Sequence, residues 1–356
     1  MNKRIVFFDG TLREGGAERV ISILSNELID RGFDVSILLY YDDDVFYDID
    51  ERINIVSVEK ENKSKKIIKN ISYIRNYFKN NADIIISFLA PFNMLALFSN
   101  AKNNIPIIVA DRNDPRYVPN KGFMRHARNI LYERYATAVV LQTNDNKEYF
   151  NKTIQNKSVV IKNPVDLKEY KGYALKIEKE KSIASVGRLI SQKNQLLLIE
   201  AFNEVKDDYP DYKLIIYGEG PDRNELQKRI NELNIDDKVL LAGNEKNIFL
   251  KISSSELFVL SSNFEGMPNS LIEAMCLGLP VISTRVSGAN ELIDDRENGI
   301  LCEINNKNEL VSSIKEVLGN NELRRKIANN ACKLNDELSV DRIVEQWTEL
   351  IGSILK

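Results

Sequence analysis

The chain has 356 residues, 43% of them hydrophobic and 28% charged, with a net charge of −3. That is long enough for two domains of about 150 residues each, and too balanced in charge to single out nucleic acid as a partner. No apolar run approaches the ~20 residues that span a bilayer, nothing near Asn2-Lys3-Arg4 reads as a signal peptide, and three scattered cysteines (Cys276, Cys302, Cys332) with one histidine (His126) speak against a disulfide frame or a histidine metal site.

In chain order, β-branched runs alternate with helical stretches. Ile5–Phe8 reads as a strand, and Gly15 to Asp30 as a helix, because Val20, Ile23, Leu24 and Leu28 recur at helical spacing and Gly32 ends the run. Val35–Tyr40, Ile84–Phe88, Ile107–Ala110, Ala138–Gln142 and Val159–Ile161 read as further buried parallel strands. A charged, strand-free stretch from Lys168 to Lys181 follows. A second strand set then runs through Ser182–Val186, Lys213–Tyr217, Val239–Leu241, Leu257–Leu260, Val281–Thr284 and Ile300–Cys302. This alternation implies an α/β protein with two doubly wound parallel sheets, ligands sitting at the carboxyl ends of the strands. The expected division is 1–165 for the first domain, 166–181 for a linker and 182–340 for the second domain. Charge is divided as well: residues up to Val165 hold 24 Lys+Arg against 20 Asp+Glu, and the remainder 25 against 32.

Three stretches carry chemistry. After Leu257–Leu260 the chain reads SSNFEGMPNSLIEAMC. Ser261 to Pro268 forms a turn, and Asn269 or Ser270 is placed to cap a helix running through Cys276. The N–H groups at such a start carry about half a positive charge and suit a phosphate. Gly266 lets backbone approach a ligand. Glu265 precedes the helix and Glu273 lies one turn in, so one acid can hold a sugar and the other a ribose, both of which present vicinal hydroxyls. An isolated pair of this kind is also compatible with a capped surface helix and two solvated acids. The second stretch, SVGRLISQKNQLLLIEAF from Ser185 to Phe202, places Arg188 and Lys193 in a turn beyond a strand end, where two cations would neutralise a diphosphate; a solvated basic loop is the plainer alternative. In the third, GTLREGGAERV from Gly10 to Val20, Gly15-Gly16 suits close approach to a phosphate or sugar. It lacks the third glycine of a dinucleotide fingerprint and the Lys-Ser/Thr of a P-loop, so a simple turn stays open.

Together these stretches resemble a retaining GT-B glycosyltransferase of glycosyltransferase family 4, of the type that builds bacterial surface polysaccharides and lipid-linked oligosaccharides. The likeness spans nearly the whole chain. It is carried by Phe264-Glu265 with Glu273 and Gly278-Leu279-Pro280-Val281, by Gly187-Arg188-Leu189 with Gln192-Lys193-Asn194, by Gly15-Gly16-Ala17-Glu18-Arg19 and by Asn163-Pro164-Val165-Asp166. The resemblance implies two Rossmann-like domains facing a cleft, with a helix at about 341–356 packing back on the first. It implies that Arg188 and Lys193 bind the donor diphosphate, Glu265 the donor sugar and Glu273 the ribose. Backbone of Met267, Pro268, Asn269, Ser270 and Leu271 would complete the cradle, Gly15 and Gly16 would approach the donor, Gly218, Gly243 and Asn244 would line the base pocket, and Asn163-Pro164 would form a hinge. The donor would be a nucleotide-diphosphate sugar, first of all a UDP-sugar, and the acceptor a hydroxyl of a glycan or lipid-linked saccharide. No metal and no cofactor are implied, and nucleic acid is not a partner.

One departure stands out. The family often has a histidine after a strand of its first domain; here VADRNDPRYV puts Arg112 there, flanked by Asp111 and Asn113. Arginine cannot serve as a base, so Arg112 is expected to bind the sugar or stabilise developing charge, and His126 to lie on a helix surface. Asp42-Asp43-Asp44 looks like the metal motif of the other transferase fold but reads as a solvated loop. Lys60 to Asn80 carries seven positives and one acid, with Ile67, Ile68, Ile71, Ile74 and Phe78 on one helical face. With KGFMRHARNILYERY, it fits either a helix packed on the sheet or peripheral contact with an anionic membrane at its cytoplasmic face. The competing functions are a non-catalytic partner subunit that keeps the fold and another nucleotide-dependent α/β enzyme.

Overall fold

A computed structural model describes residues 3–62, 67–167 and 170–356. Lys63, Lys65 and Lys66 of the basic stretch, and Lys168 of the expected linker, lie outside the described residues. The chain divides into two compact units, one of residues 1–164 with 339–356 and one of residues 165–338.

The first unit has a seven-stranded sheet built from β1 (Arg4–Asp9), β2 (Asp34–Leu39), β3 (Asn54–Ser57), β4 (Ile84–Phe88), β5 (Ile107–Ala110), β6 (Ala138–Leu141) and β7 (Ser158–Val160), in the order β3-β2-β1-β4-β5-β6-β7. Every pairing is parallel, with Ile5 opposite both Val35 and Ile84. All residues of β4, β5 and β6 are buried, because helices cover both faces and near-continuous Ile/Val runs suit that position. β3 escapes the sequence reading: Asn-Ile-Val-Ser is a short edge strand whose residues are at most half-buried, so its apolar signal is weak.

Among the described residues up to Pro164 the long helices of this unit are α1 (Gly16–Asp30), α2 (Ile67–Asn81), α3 (Ala90–Asn100) and α4 (Gly122–Tyr135), with short helices at Val58–Asn62, Asn144–Glu148 and Lys152–Asn156. Ile74 and Phe78 of α2, Ala96 and Leu97 of α3 and Tyr132 of α4 share one core with Val6, Phe8, Ile85, Val109 and Val139 of the sheet. Phe7 and Phe88 alternate to the other face, 6.3 Å apart.

The second unit has β8 (Glu180–Val186), β9 (Lys213–Tyr217), β10 (Val239–Gly243), β11 (Ser255–Leu260), β12 (Val281–Thr284) and β13 (Ile300–Cys302), ordered β10-β9-β8-β11-β12-β13 and again all parallel. Its core joins Ile183, Leu214, Ile216, Leu257 and Val259 to Leu198 and Phe202 of α5 (Gln195–Val205). α6 (Asn269–Leu277) follows β11 and is buried from Leu271 to Leu277. The stretch expected as a linker belongs to this unit: Gly172 N donates to Cys276 O at 3.2 Å, and the Tyr170 ring meets Phe249 at 5.9 Å. The last helix, α7 (Val340–Ile354), belongs to the first unit. Its Trp347 is fully buried and stacks on Phe88 at 6.0 Å.

Candidate functional site

In the second unit three strand ends meet through glycine backbone. Gly218 lies beyond β9 with φ +132, and a Cβ there would stand 2.1 Å from Gly187 O. Gly187 N donates to Tyr217 O at 3.0 Å and Gly218 N to Gly243 O at 2.8 Å, so β8, β9 and β10 end as one tightly apposed backbone surface. Asn244 is exposed beside it. Any side chain at position 218 would force this surface apart.

The loop after β8 is zipped to the loop after β11. Asn263 N donates to Gln192 O at 2.7 Å, Asn263 Nδ2 to Ser191 O at 2.8 Å, and Ser261 Oγ to Asn194 O at 3.0 Å. Asn194 takes φ +49 to start α5, a conformation asparagine tolerates. This pairing brings two predicted residues together: Lys193 Nζ meets Glu265 Oε1 at 2.5 Å. The Glu265 carboxylate also accepts from Ser262 Oγ at 2.8 Å and from Gln192 Nε2 at 3.3 Å. Ser262 is itself held by Thr284 Oγ1, which donates to its carbonyl at 2.6 Å. Glu265 is 6% exposed, so an anion is fixed in a largely dehydrated place by one cation and two neutral donors. Arg188 is exposed and, among the described residues, forms no ion pair, which leaves its guanidinium available to a ligand.

α6 starts differently from the expectation. Its N-cap is Pro268, with no side-chain cap bond, so neither Asn269 nor Ser270 is the cap. Proline has no N–H and no side-chain acceptor, so the positive end of this helix is left uncapped by any side chain of its N-cap residue. Gly266, Met267 and Pro268 are buried in the approach to it. Gly288 lies against this turn, since a Cβ there would come within 2.5 Å of Gly266 O. Glu273 is one turn into α6 and 7% exposed. Ser262, Thr284 and Gly288 were not singled out from the sequence, and Gln192 was named only as part of a motif, with no role. Only the tertiary pairing shows Gln192 and Ser262 on Glu265.

Gly15, Gly16 and Arg112 belong to the first unit. Gly15 precedes α1, and the Tyr47 hydroxyl both accepts from Gly15 N at 3.2 Å and donates to Gly15 O at 2.8 Å. A Cβ on Gly15 would stand 2.1 Å from the Glu18 carboxylate, so an acid already occupies the start of α1. The acidic triplet lies against the same loop: Asp43 pairs with Arg13 at 2.6 Å, while Asp42 and Asp44 are exposed. Among the described residues no group of His, Cys, Asp and Glu is placed to hold a metal. At the end of β1, Asp9 is 1% exposed, and burial first, then Glu18, raises its carboxyl well above the usual range.

Arg112 follows β5 and is 8% exposed. Its guanidinium lies 4.7 Å from the Phe88 ring centre and 5.6 Å from that of Trp347, and Nη1 donates to Asn163 Oδ1 at 3.0 Å. Burial pulls Arg112 down to about 9, against the attraction of Asp111, so it stays charged at neutral pH. Asp111 in turn accepts from Tyr132 Oη at 2.8 Å. His126 is exposed on α4.

Residues 168–334 match the family Glycosyl transferases group 1, and residues 14–169 match Glycosyltransferase Family 4. A Campylobacter jejuni protein, N-acetylgalactosamine-N,N'-diacetylbacillosaminyl-diphospho-undecaprenol 4-alpha-N-acetylgalactosaminyltransferase, is 31% identical, over 96% of this chain and 98% of its own. A second from the same organism, a GalNAc-alpha-(1->4)-GalNAc-alpha-(1->3)-diNAcBac-PP-undecaprenol alpha-1,4-N-acetyl-D-galactosaminyltransferase, is 26% identical over 99% of both chains. Among solved structures, Anabaena HepE with UDP and glucose aligns at TM-score 0.85 and 19% identity over 99% of this chain and 100% of that one. Sucrose-phosphate synthase from Thermosynechococcus elongatus aligns at 0.84 and 16%, over 99% of each chain. With the Glu265-to-Glu273 turn, the Arg188–Lys193 loop and two all-parallel Rossmann-like domains in place, the chain belongs to glycosyltransferase family 4 and has the GT-B architecture.

Proposed function

We propose that this protein is a retaining transferase that moves a sugar from a UDP-sugar to a hydroxyl of a lipid-linked saccharide, forming an α-linkage, in the assembly of a bacterial oligosaccharide or polysaccharide. The observation that carries the reading is Glu265, anchored by Lys193, Ser262 and Gln192 in the turn before α6, whose N-cap residue is a proline. In this reading Arg188 and Lys193 bind the diphosphate, Glu265 orients the sugar and Glu273 holds the ribose. The strand ends at Gly218, Gly243 and Asn244 receive the base. The names of the Campylobacter relatives support the lipid-linked acceptor and the α-linkage, and UDP in the Anabaena complex supports the donor.

The chemistry follows from charge. Departure of the diphosphate leaves positive character on the sugar and negative charge on the leaving group. Two cations and a helix start stabilise the second without a metal. The leaving oxygen takes the acceptor's proton on the face where the acceptor attacks, which preserves the anomeric configuration.

A panel of UDP-, GDP- and ADP-sugars offered to the purified chain with a polyprenyl-diphosphate saccharide tests this. Transfer from a UDP-sugar, an α-anomeric product by NMR and full turnover in EDTA are expected. A β-linked product would overturn retention. Loss of turnover in EDTA with recovery on Mn²⁺ would overturn the metal-free step. Absence of transfer with every donor would favour a partner subunit that keeps the fold.

A further inference from the structure

The turn that carries Glu265 rests on β12 as well as on the loop after β8. β12 reads Val-Ile-Ser-Thr, and its Ser283 and Thr284 are fully buried. Apolar β-branched residues suit such positions in a parallel strand, and a buried hydroxyl has to find a partner. Ser283 Oγ finds one locally, donating to Thr284 O at 2.9 Å. Thr284 Oγ1 instead reaches across to the neighbouring loop and donates to Ser262 O at 2.6 Å. Backbone pairing of β11 with β12 ends at Leu260 opposite Ser283, so beyond the ladder this side-chain bond joins the two.

The Ser262 carbonyl and the Asn263 N–H belong to one peptide group. Its oxygen accepts from Thr284 of β12, and its N–H donates to Gln192 O, in the loop after β8, at 2.7 Å. β8 and β12 are the two neighbours of β11 in the sheet. A planar peptide bonded at both ends to opposite neighbours cannot turn over without breaking both bonds. Its direction sets that of the Ser262 side chain, whose Oγ donates to Glu265 Oε1 at 2.8 Å, and that of the backbone leading to Glu265. The segment after β12 supports the same turn again, since a Cβ on Gly288 would stand 2.5 Å from Gly266 O and 2.7 Å from Met267 Cα. Glu265 thus has its cation on the β8 side and its backbone support on the β12 side.

We propose that Thr284 is a positioning residue for the transfer: by clamping the Ser262–Asn263 peptide against β12, it aims the Glu265 carboxylate at the donor sugar. Thr284 is itself fully buried and acts through Glu265. The proposal rests on the reading of Glu265 as the acid that orients the sugar.

Two substitutions and two measurements test it. Thr284→Val keeps the branched shape and removes the donor, whereas Thr284→Ser keeps the donor. In Thr284→Val, amide exchange over residues 260–266 should quicken about tenfold or more. Its kcat with the UDP-sugar should fall about tenfold, with affinity for free UDP unchanged. Thr284→Ser should keep exchange and kcat within about threefold of wild type. Should Thr284→Val not fold, Thr284→Cys, whose S–H is a weak donor, carries the same test with a smaller loss. In a Glu265→Gln background, Thr284→Val should lower kcat no further. Wild-type exchange in Thr284→Val overturns the clamp. Quickened exchange with wild-type kcat overturns its role in positioning, as does a further tenfold loss in the Glu265→Gln background. Equal falls in UDP affinity and kcat would assign Thr284 to the stability of the whole unit and also overturn the proposal. Quickened exchange as predicted in a protein that transfers no sugar from any nucleotide donor would sink the transferase reading and leave the clamp standing.

Discussion

Glu265 and Arg112 are both buried charges, and their surroundings differ. Glu265 is held by three donors, of which Ser262 is fully buried. Removing a hydrogen bond to a charged group costs about 1.5–3 kcal/mol, so Ser262→Ala should slow turnover about ten- to a hundredfold while nucleotide affinity stays at the wild-type value. Glu265→Gln should behave likewise, and Glu273→Gln should instead weaken free UDP. Titration calorimetry with UDP separates the two, and equal losses in both variants would end this division of labour. Arg112 lies against Phe88 and Trp347, which stack on each other, with little surface for a ligand, which favours a supporting role. Arg112→Met takes away a buried charge but leaves Asp111 without its attraction and Asn163 Oδ1 without its Nη1 donor, and removing one partner of a buried charge interaction is destabilising. We expect its melting temperature to fall and the kcat of the folded fraction to stay within about threefold of wild type. A hundredfold loss of kcat at unchanged melting temperature would return the guanidinium to the reacting sugar. Asp9 supplies the pH dependence. Its folded pKa is raised, so the folded state binds more protons than the unfolded one between about pH 3.9 and the folded value. Stability therefore falls as pH rises through that window. Asp9→Asn keeps an acceptor for Gly10 N and removes the titration, so its melting temperature should exceed wild type at pH 8, with the gap closing towards pH 4. A constant gap across that range would mean that Asp9 is ionised throughout.

At the scale of elements, the two helix starts expected to receive ligands are built differently. α6 begins at a proline with no side-chain cap, whereas the start of α1 has the Glu18 carboxylate against Gly15. An anion is favoured at the first and opposed at the second. α7 matters for another reason: Trp347 is the large side chain that closes the face of the first unit's sheet at Phe88 and Arg112. Trp347→Ala should cost about 3–5 kcal/mol, read as a lower denaturant midpoint with an unchanged slope. A midpoint within error of wild type would mean that α7 is not an integral part of that unit.

The whole molecule is two units of unequal continuity. The second is one unbroken segment, residues 165–338, with its own core; the first needs residues 339–356 to complete it. A fragment of residues 165–338 should therefore fold cooperatively and bind UDP, whereas residues 1–164 alone should not give a cooperative melt. Failure of the first fragment to fold would show that its core depends on the rest of the chain.

Local pattern was enough for the α/β alternation, all but one of the strands and the motif positions, because buried parallel strands are short, continuous Ile/Val/Leu runs and glycines mark the turns beyond them. Ile84–Phe88, Ile107–Ala110 and Val281–Thr284 appear in the structure with the bounds read from sequence. β3 was not legible, since an edge strand needs few apolar residues. The cap of α6 was misassigned, because Asn269-Ser270 looks like a cap until the backbone places Pro268 there. What only the tertiary structure decided are the contacts between loops distant in sequence: Ser262 and Gln192 on Glu265, Tyr47 on Gly15, and Arg112 against a tryptophan more than 200 residues away. Residue type and spacing encode which elements form. Side-chain partners depend on how strands are ordered in a sheet, and that order is set by burial of all the elements together rather than by any one stretch.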